Sequence, residues 1–297
     1  MDGAGGGTAG FAWSAAMSLP HTPLRIGAVS LTVRDLSRVA DFYREAIGLS
    51  ETGRDAGTVH LGAGSTTLLE LIEAPSAPLS GRRSAGLFHT AFLLPDRAAL
   101  GRWLRHAATS RLPLQGASDH GVSEAIYLAD PEGNGIEVYA DRPQAEWPVL
   151  GGALQMVSDP LDADDLLAAG GDAAFAGVPD GTTVGHVHLQ VGDVPAADRF
   201  YTAALGLDVM QRSPSATFLS SGGYHHHVAG NIWNSRGAPP RDPAATGLRS
   251  FELLARDEAA FAGVEAAILA AGVTAVRQGE TIHLTDPAGV GIALRRG

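Results

Sequence analysis

The sequence predicts an α+β protein of four β-α-β-β-β modules, joined in pairs as two tandem domains in which curved sheets surround a cavity. Three observations carry this. First, residues 27–49 recur at 185–207: Gly27, Phe42 and Gly48 are each answered by Gly185, Phe200 and Gly206 at an offset of 158. Second, Gly86-Leu87 is echoed by Gly247-Leu248, and Asp130-Pro131-Glu132-Gly133-Asn134-Gly135 by Asp286-Pro287-Ala288-Gly289-Val290-Gly291. Third, runs of alternating apolar residues are separated by single helical stretches and short turns. A sheet with one helix cannot cover both of its faces, so modules of this kind must pair.

Taken in order, the first module opens with a strand at 26–33 and continues as a helix begun near Asp35 or Ser37 and stopped at Gly48. A strand at 49–53 and two at 58–62 and 66–72 follow, the last two separated by the turn Ala63-Gly64-Ser65. Pro75, Pro78 and Gly81 break the pattern. The second module starts at 86–94, and Pro95-Asp96 leads a helix whose Leu100, Trp103, Leu104 and Ala107 share a face. Strands at 124–128 and 136–139 flank the Asp130 turn. A connector with an acidic helical piece near 161–169 leads to the third module, whose strand carries Gly-His-Val-His-Leu-Gln-Val at 185–191. Alternation puts His186, His188 and Gln190 on one face and Val187, Leu189 and Val191 on the other. The fourth module repeats the second, with a helix over 257–271. The expected divisions are a flexible tail at 1–24, a domain at 25–143, a linker at 144–181 and a domain at 182–297.

Composition narrows the chemistry. At 297 residues and 45% hydrophobic content the chain can bury a substantial core. A formal charge of -11 argues against a nucleic-acid or anionic-membrane partner, and no run approaches the roughly 20 apolar residues of a membrane span. The start of the chain lacks a basic, apolar secretory signal, so a cytoplasmic protein acting on a small molecule is expected. With no cysteine, thiolate metal sites and cysteine nucleophiles are excluded, and any metal falls to the 11 histidines and the carboxylates.

The strand at 185–191, the Asp-led helix with Phe200-Tyr201 and Leu205-Gly206-Leu207, and Asp130-Pro131-Glu132-Gly133-Asn134-Gly135-Ile136-Glu137-Val138-Tyr139 together resemble the vicinal oxygen chelate superfamily. That superfamily includes glyoxalase I, type I extradiol dioxygenases and fosfomycin resistance proteins. Gly222-Gly223-Tyr224-His225-His226-His227, with Asn231 and Trp233, is most similar to its two-domain members of the bacterial catechol-2,3-dioxygenase type. The resemblance spans nearly everything from residue 25 and implies two tandem vicinal oxygen chelate domains.

It also implies a divalent metal, Fe(II) first and Mn(II) or another ion second, held by residues of the first and last strands of paired modules. Carried onto this sequence, those positions are Ala28, Glu70, His89 and Glu137 in the first half, and His186, the run at 225–227, Ser250 and Ala293 in the second. Alternation groups His225 and His227 with Asn231 and sets them toward the cavity, with His227 the preferred ligand. A bulge after Gly222-Gly223 would shift this register by one. A lone histidine among apolar residues is ordinarily a hydrogen-bonded core residue; Glu137 and Glu70 at matching positions make His89 a ligand candidate. The metal candidates are thus His186, His227, His89, Glu137 and Glu70, and the supporting or acid/base candidates His225, Tyr224 and His120. His60, His106 and His283 read as structural. Each half taken alone lacks a full set of two histidines and one carboxylate, with Glu252 a possible stand-in beside Ser250.

The activity implied is extradiol cleavage of a catechol-type substrate. The alternatives are a glyoxalase-like isomerase or lyase using two carboxylates, and a non-catalytic small-molecule binding protein of the same fold. The resemblance further implies a homodimer.

Overall fold

The structure, a computed structural model, describes residues 22–297; of the tail expected at 1–24, residues 1–21 lie outside them. The first module comprises β1 (Leu24–Val33), α1 (Leu36–Phe42), β2 (Ser50–Asp55), β3 (Thr58–Ala63) and β4 (Thr66–Glu73). The second comprises β5 (Gly86–Leu93), α2 (Arg97–Thr109), β6 (Gly116–Asp119), β7 (Ser123–Ala129) and β8 (Gly135–Asp141). The connector holds β9 (Val149–Leu150), β10 (Ala153–Leu154) and α3 (Ala163–Ala169). The third module is β11 (Thr183–Gln190), α4 (Val194–Leu205), β12 (Asp208–Ser213), β13 (Ala216–Ser220) and β14 (Val228–Asn231). The fourth is β15 (Gly247–Ala255), α5 (Glu258–Ala270), β16 (Ala275–Gln278), β17 (Thr281–Thr285) and β18 (Gly291–Arg296).

The predicted helix starts are capped by carboxylates. Asp35, Asp96, Asp193 and Asp257 accept from the backbone N–H groups of Arg38, Ala99, Ala196 and Ala260, satisfying donors the first helical turn leaves unpaired. In the duplicated helix, which in the first module runs on from α1 as a π-helical turn over Tyr43–Ile47, Gly48 and Gly206 close the C-terminus with φ of 89° and 66°, a left-handed conformation that a side chain would strain. No helix among the described residues is long and apolar enough to cross a membrane.

The partnering of modules crosses the two halves of the chain. One eight-stranded sheet runs β16-β17-β18-β15-β1-β4-β3-β2, and the other β12-β13-β14-β11-β5-β8-β7-β6. The first module therefore shares a sheet with the fourth, and the second with the third. Antiparallel pairing of β1 with β15 and of β5 with β11 makes the two seams. Consecutive modules are instead tied by their motifs. The Tyr201 hydroxyl donates to Asp286 at 2.8 Å and the Tyr43 hydroxyl to Asp130 at 3.5 Å, so the Phe-Tyr of one module anchors the Asp-Pro turn of the next. Each Asp also accepts backbone N–H groups of its own turn: Asp130 those of Glu132 and Asn134, and Asp286 that of Val290. Burial pushes the Asp286 carboxyl up to about 6, against the pull of these hydrogen bonds. The apolar faces of both sheets and the five helices share one core, with Trp103 fully buried and its Nε1 donating to the Ala46 carbonyl at 3.0 Å.

Tyr201→Phe removes a buried donor from Asp286 and is expected to cost about 1–2 kcal/mol. Tyr43→Phe, across the longer contact, should cost less. Denaturant midpoints of the two variants check the order.

Candidate metal centre

The site stands on the β5–β11 seam and takes one residue from each of three adjacent strands. Register places Glu137 of β8 and His186 of β11 on either side of Ala91 in β5. His89 stands one pleat along β5 on the same face as Ala91. Ala91 is fully buried, and its small side chain leaves the space above it to its neighbours. The Nε2 atoms of His89 and His186 lie 3.3 Å apart, and Glu137 Oε2 lies 2.9 Å from the first and 3.3 Å from the second. All three side chains are buried. Among the described residues this is the cluster of His and carboxylate groups whose donor atoms converge.

The chemistry of this set fits a divalent cation. Two protonated ring nitrogens at 3.3 Å would press their hydrogens together, whereas one cation satisfies both lone pairs and the carboxylate at once. Ligands about 2.1 Å from one ion stand roughly 3 Å apart, which is the spacing found. Burial pulls the His186 imidazole down to about 4, against the opposing effect of Glu137, so the ring is neutral and its lone pair free near pH 7. Burial opposes ionisation of the Glu137 carboxyl too, but the two imidazoles beside it, His186 and His89, outweigh that and hold it well below its usual range. His186 Nδ1 is buried without a hydrogen-bond partner, so packing sets the ring's orientation. Tyr139 and His226 flank it at centroid distances of 5.0 and 4.1 Å.

The donors open into a cavity of about 420 Å³ on the concave side of the sheet. Phe88, Phe218 and Trp233 form an aromatic wall beside His188, whose Nε2 lies 3.0 Å from the Asn231 side-chain amide. On the opposite side stand Tyr127 and His120, with the Tyr127 hydroxyl 2.6 Å from His120 Nε2. Burial first, and then the charge and hydrogen bonding of Glu137, raise the Tyr127 phenol far above its ordinary value.

The structure brings three of the five metal candidates together and separates the other two. Glu70 lies in the other sheet, accepting from the Ser30 hydroxyl at 2.6 Å and pairing with His60 at 3.5 Å. His227 is held away from the donors: its Nδ1 lies 3.1 Å from the Ser220 hydroxyl and accepts from the Ser221 N–H, and burial pulls its imidazole down to about 3. The strand alternation used to choose His227 does not extend to it, because β14 begins at Val228 and the run at 225–227 precedes it. The neighbouring His226 lines the cavity instead.

Of the acid/base candidates, His120 lines the cavity. Tyr224 and His225 are fully buried behind its wall, where Tyr224 meets the Tyr139 hydroxyl at 2.8 Å and His225 Nε2 meets Asp141 at 3.0 Å. Glu252 accepts from the Ala28 N–H and pairs with Arg295, so it braces β1. At the corresponding positions of the other sheet Ala28, Ser250 and Ala293 stand where His186, His89 and Glu137 stand here. Tyr127 escaped the sequence reading, although alternation along β7 sets its phenol among small residues, Ala125 and Ala129, on one face.

The family model described as Glyoxalase/Bleomycin resistance protein/Dioxygenase superfamily matches residues 25–138 and 183–294. A catechol-2,3-dioxygenase of Bacillus subtilis (strain 168) is 42% identical over 245 residues, covering 80% of this chain and 85% of that protein. Among solved structures, glyoxalase I from Zea mays superposes with a TM-score of 0.54 at 18% identity, covering 93% of each chain. The cppA protein from Streptococcus pneumoniae TIGR4 does so with a TM-score of 0.54 at 13% identity, covering 93% of this chain and 99% of that one. At these identities the structural likeness is one of fold.

Proposed function

Because the chain belongs to the glyoxalase/bleomycin resistance protein/dioxygenase superfamily, with a catechol-2,3-dioxygenase as a 42% identical relative, we propose that it is a metal-dependent extradiol dioxygenase acting on a catechol. The observation that carries this reading is the convergence of His89, His186 and Glu137 in one cavity. Two histidines and one carboxylate with the remaining positions open are the donor pattern of non-haem Fe(II) oxygenases, and Fe(II) is the proposed ion, with Mn(II) as substitute. The isomerase alternative rests on a second carboxylate, and Glu70 is in the other sheet. When bound, such an ion supplies Lewis acidity toward two vicinal substrate oxygens and a redox centre for dioxygen.

The chain supplies position and proton transfer. Phe88, Phe218 and Trp233 give the aromatic ring an apolar wall. A catechol hydroxyl must lose its proton, and the Tyr127–His120 pair provides the route. Because the Tyr127 phenol keeps its own proton, it acts as a relay: its oxygen accepts the substrate proton while its hydrogen passes to His120 Nε2. His120 Nδ1 lies 2.6 Å from the Val157 carbonyl, to which only an N–H can donate, and this assigns Nε2 the accepting role toward Tyr127. Tyr127→Phe is therefore expected to lower kcat by about 100-fold or more with bound metal unchanged, as steady-state rates and metal analysis would show.

Protein loaded anaerobically with Fe(II) and mixed with catechol in aerated buffer should consume one dioxygen per ring opened. The carbon–carbon bond beside the diol breaks, and both oxygen atoms enter the product, an open-chain hydroxy acid that ends in an aldehyde. Metal bound with no oxygen uptake from any catechol would overturn the reading.

A further inference from the structure

The curled sheet that carries the metal candidates has two free edges, β12 and β6, and a single segment of the connector spans them. Residues 154–159 lie outside both stretches matched by the family model. At the β12 edge, the Met156 N–H donates to Gln211 Oε1 at 2.7 Å, and Gln211 Nε2 donates back to the Met156 carbonyl at 3.2 Å. At the β6 edge, the Val157 N–H donates to the His120 carbonyl at 3.1 Å. Asp119 and Asp159 exchange two backbone bonds of 2.9 Å there. The backbone thus closes the open side of the sheet from edge to edge, directly over the cavity. Met156 packs on Val122, Trp147, Leu154 and Tyr224 and lines the cavity together with Val157 and Ser158.

We propose that residues 154–159 are the specificity wall of this site: a strap joining both edges of the sheet, whose Met156 and Val157 meet the substituent of a bound catechol and admit small, apolar, uncharged ones. This rests on the catechol reading above. The charge preference follows from the lining, in which the side chains other than histidine include no cation and the carboxylate of Glu137 is the one anion, so a second carboxylate brought into the cavity would lose hydration with no lysine or arginine to offset its charge. The size preference follows from a cavity of about 420 Å³, at the small end of small-molecule sites. Met156 is the adjustable part of the wall, since a methionine repacks where branched side chains do not.

Binding can be read without turnover. Fe(II)-loaded protein is titrated anaerobically with catechol, 4-methylcatechol, 4-tert-butylcatechol and 3,4-dihydroxybenzoate, following the heat of binding by calorimetry. The wild type should bind 4-methylcatechol at least as tightly as catechol, and 3,4-dihydroxybenzoate about tenfold more weakly or worse. Met156→Ala should improve 4-tert-butylcatechol relative to catechol, and Met156→Trp should weaken it by about tenfold while retaining catechol. Variants that keep the wild-type order within about twofold, or a carboxylated catechol bound as tightly as catechol, would overturn the wall while leaving the dioxygenase reading standing. A wild type that binds metal but no catechol would overturn both.

Discussion

Alanine at His89, at His186 or at Glu137, one at a time, is expected to leave the protein folded, without stoichiometric metal and without ring cleavage. The three donors come from three strands, and each variant leaves two ligands where an ion needs three. Loss of a group that merely supports a ligand lowers affinity by roughly 10–100-fold, and loss of a ligand should exceed that. Folding should survive because the site hangs on a seam stabilised by backbone pairing of β5 with β11 and β8. Glu70→Gln, in the other sheet, should keep full metal content. Metal analysis after gel filtration, beside oxygen uptake, measures all four variants.

Gly135→Ala is expected to unsettle the same site through the backbone. A Cβ at this position would lie 1.9 Å from the Phe88 carbonyl oxygen and 3.3 Å from the Cα of His89, and neither can yield as a flexible side chain would. The clash falls where β8 enters its parallel pairing with β5, the contact that sets Glu137 beside Ala91 and within reach of His89. Overpacking of this kind costs about 3 kcal/mol, and the strands must part to relieve it. A melting point lower by several degrees, together with weakened metal binding at temperatures where the protein is still folded, is the expected result. Calorimetry and metal titration of the one variant report both.

The modules were legible because their signals are local. Asp before each helix, Gly after the duplicated helix and the Asp-led turns are dictated by backbone hydrogen bonding, and all appear where the sequence places them. The partners of those modules were not legible. Alternation tells which face of a strand is apolar, but says nothing about which distant strand lies beside it. The incomplete sets read in each half of the chain arise from this: His89 and Glu137 come from the first half, His186 from the second, and the seam between β5 and β11 unites them. His227 lies away from the converging donors for a narrower reason, since the irregular segment before β14 carries no period of two. Tyr127 lay in a strand that otherwise reads as core, and nothing local marks its hydroxyl as facing Glu137.

That one metal ion sits between the two halves of the chain is tested most directly by anomalous diffraction from crystals loaded with Fe(II) under anaerobic conditions. One peak is expected within bonding distance of His89 Nε2, His186 Nε2 and Glu137 Oε2, and none above the sheet that carries Ala28, Ser250 and Ala293. A peak at Glu70 and His60 with none on the β5–β11 seam would contradict it.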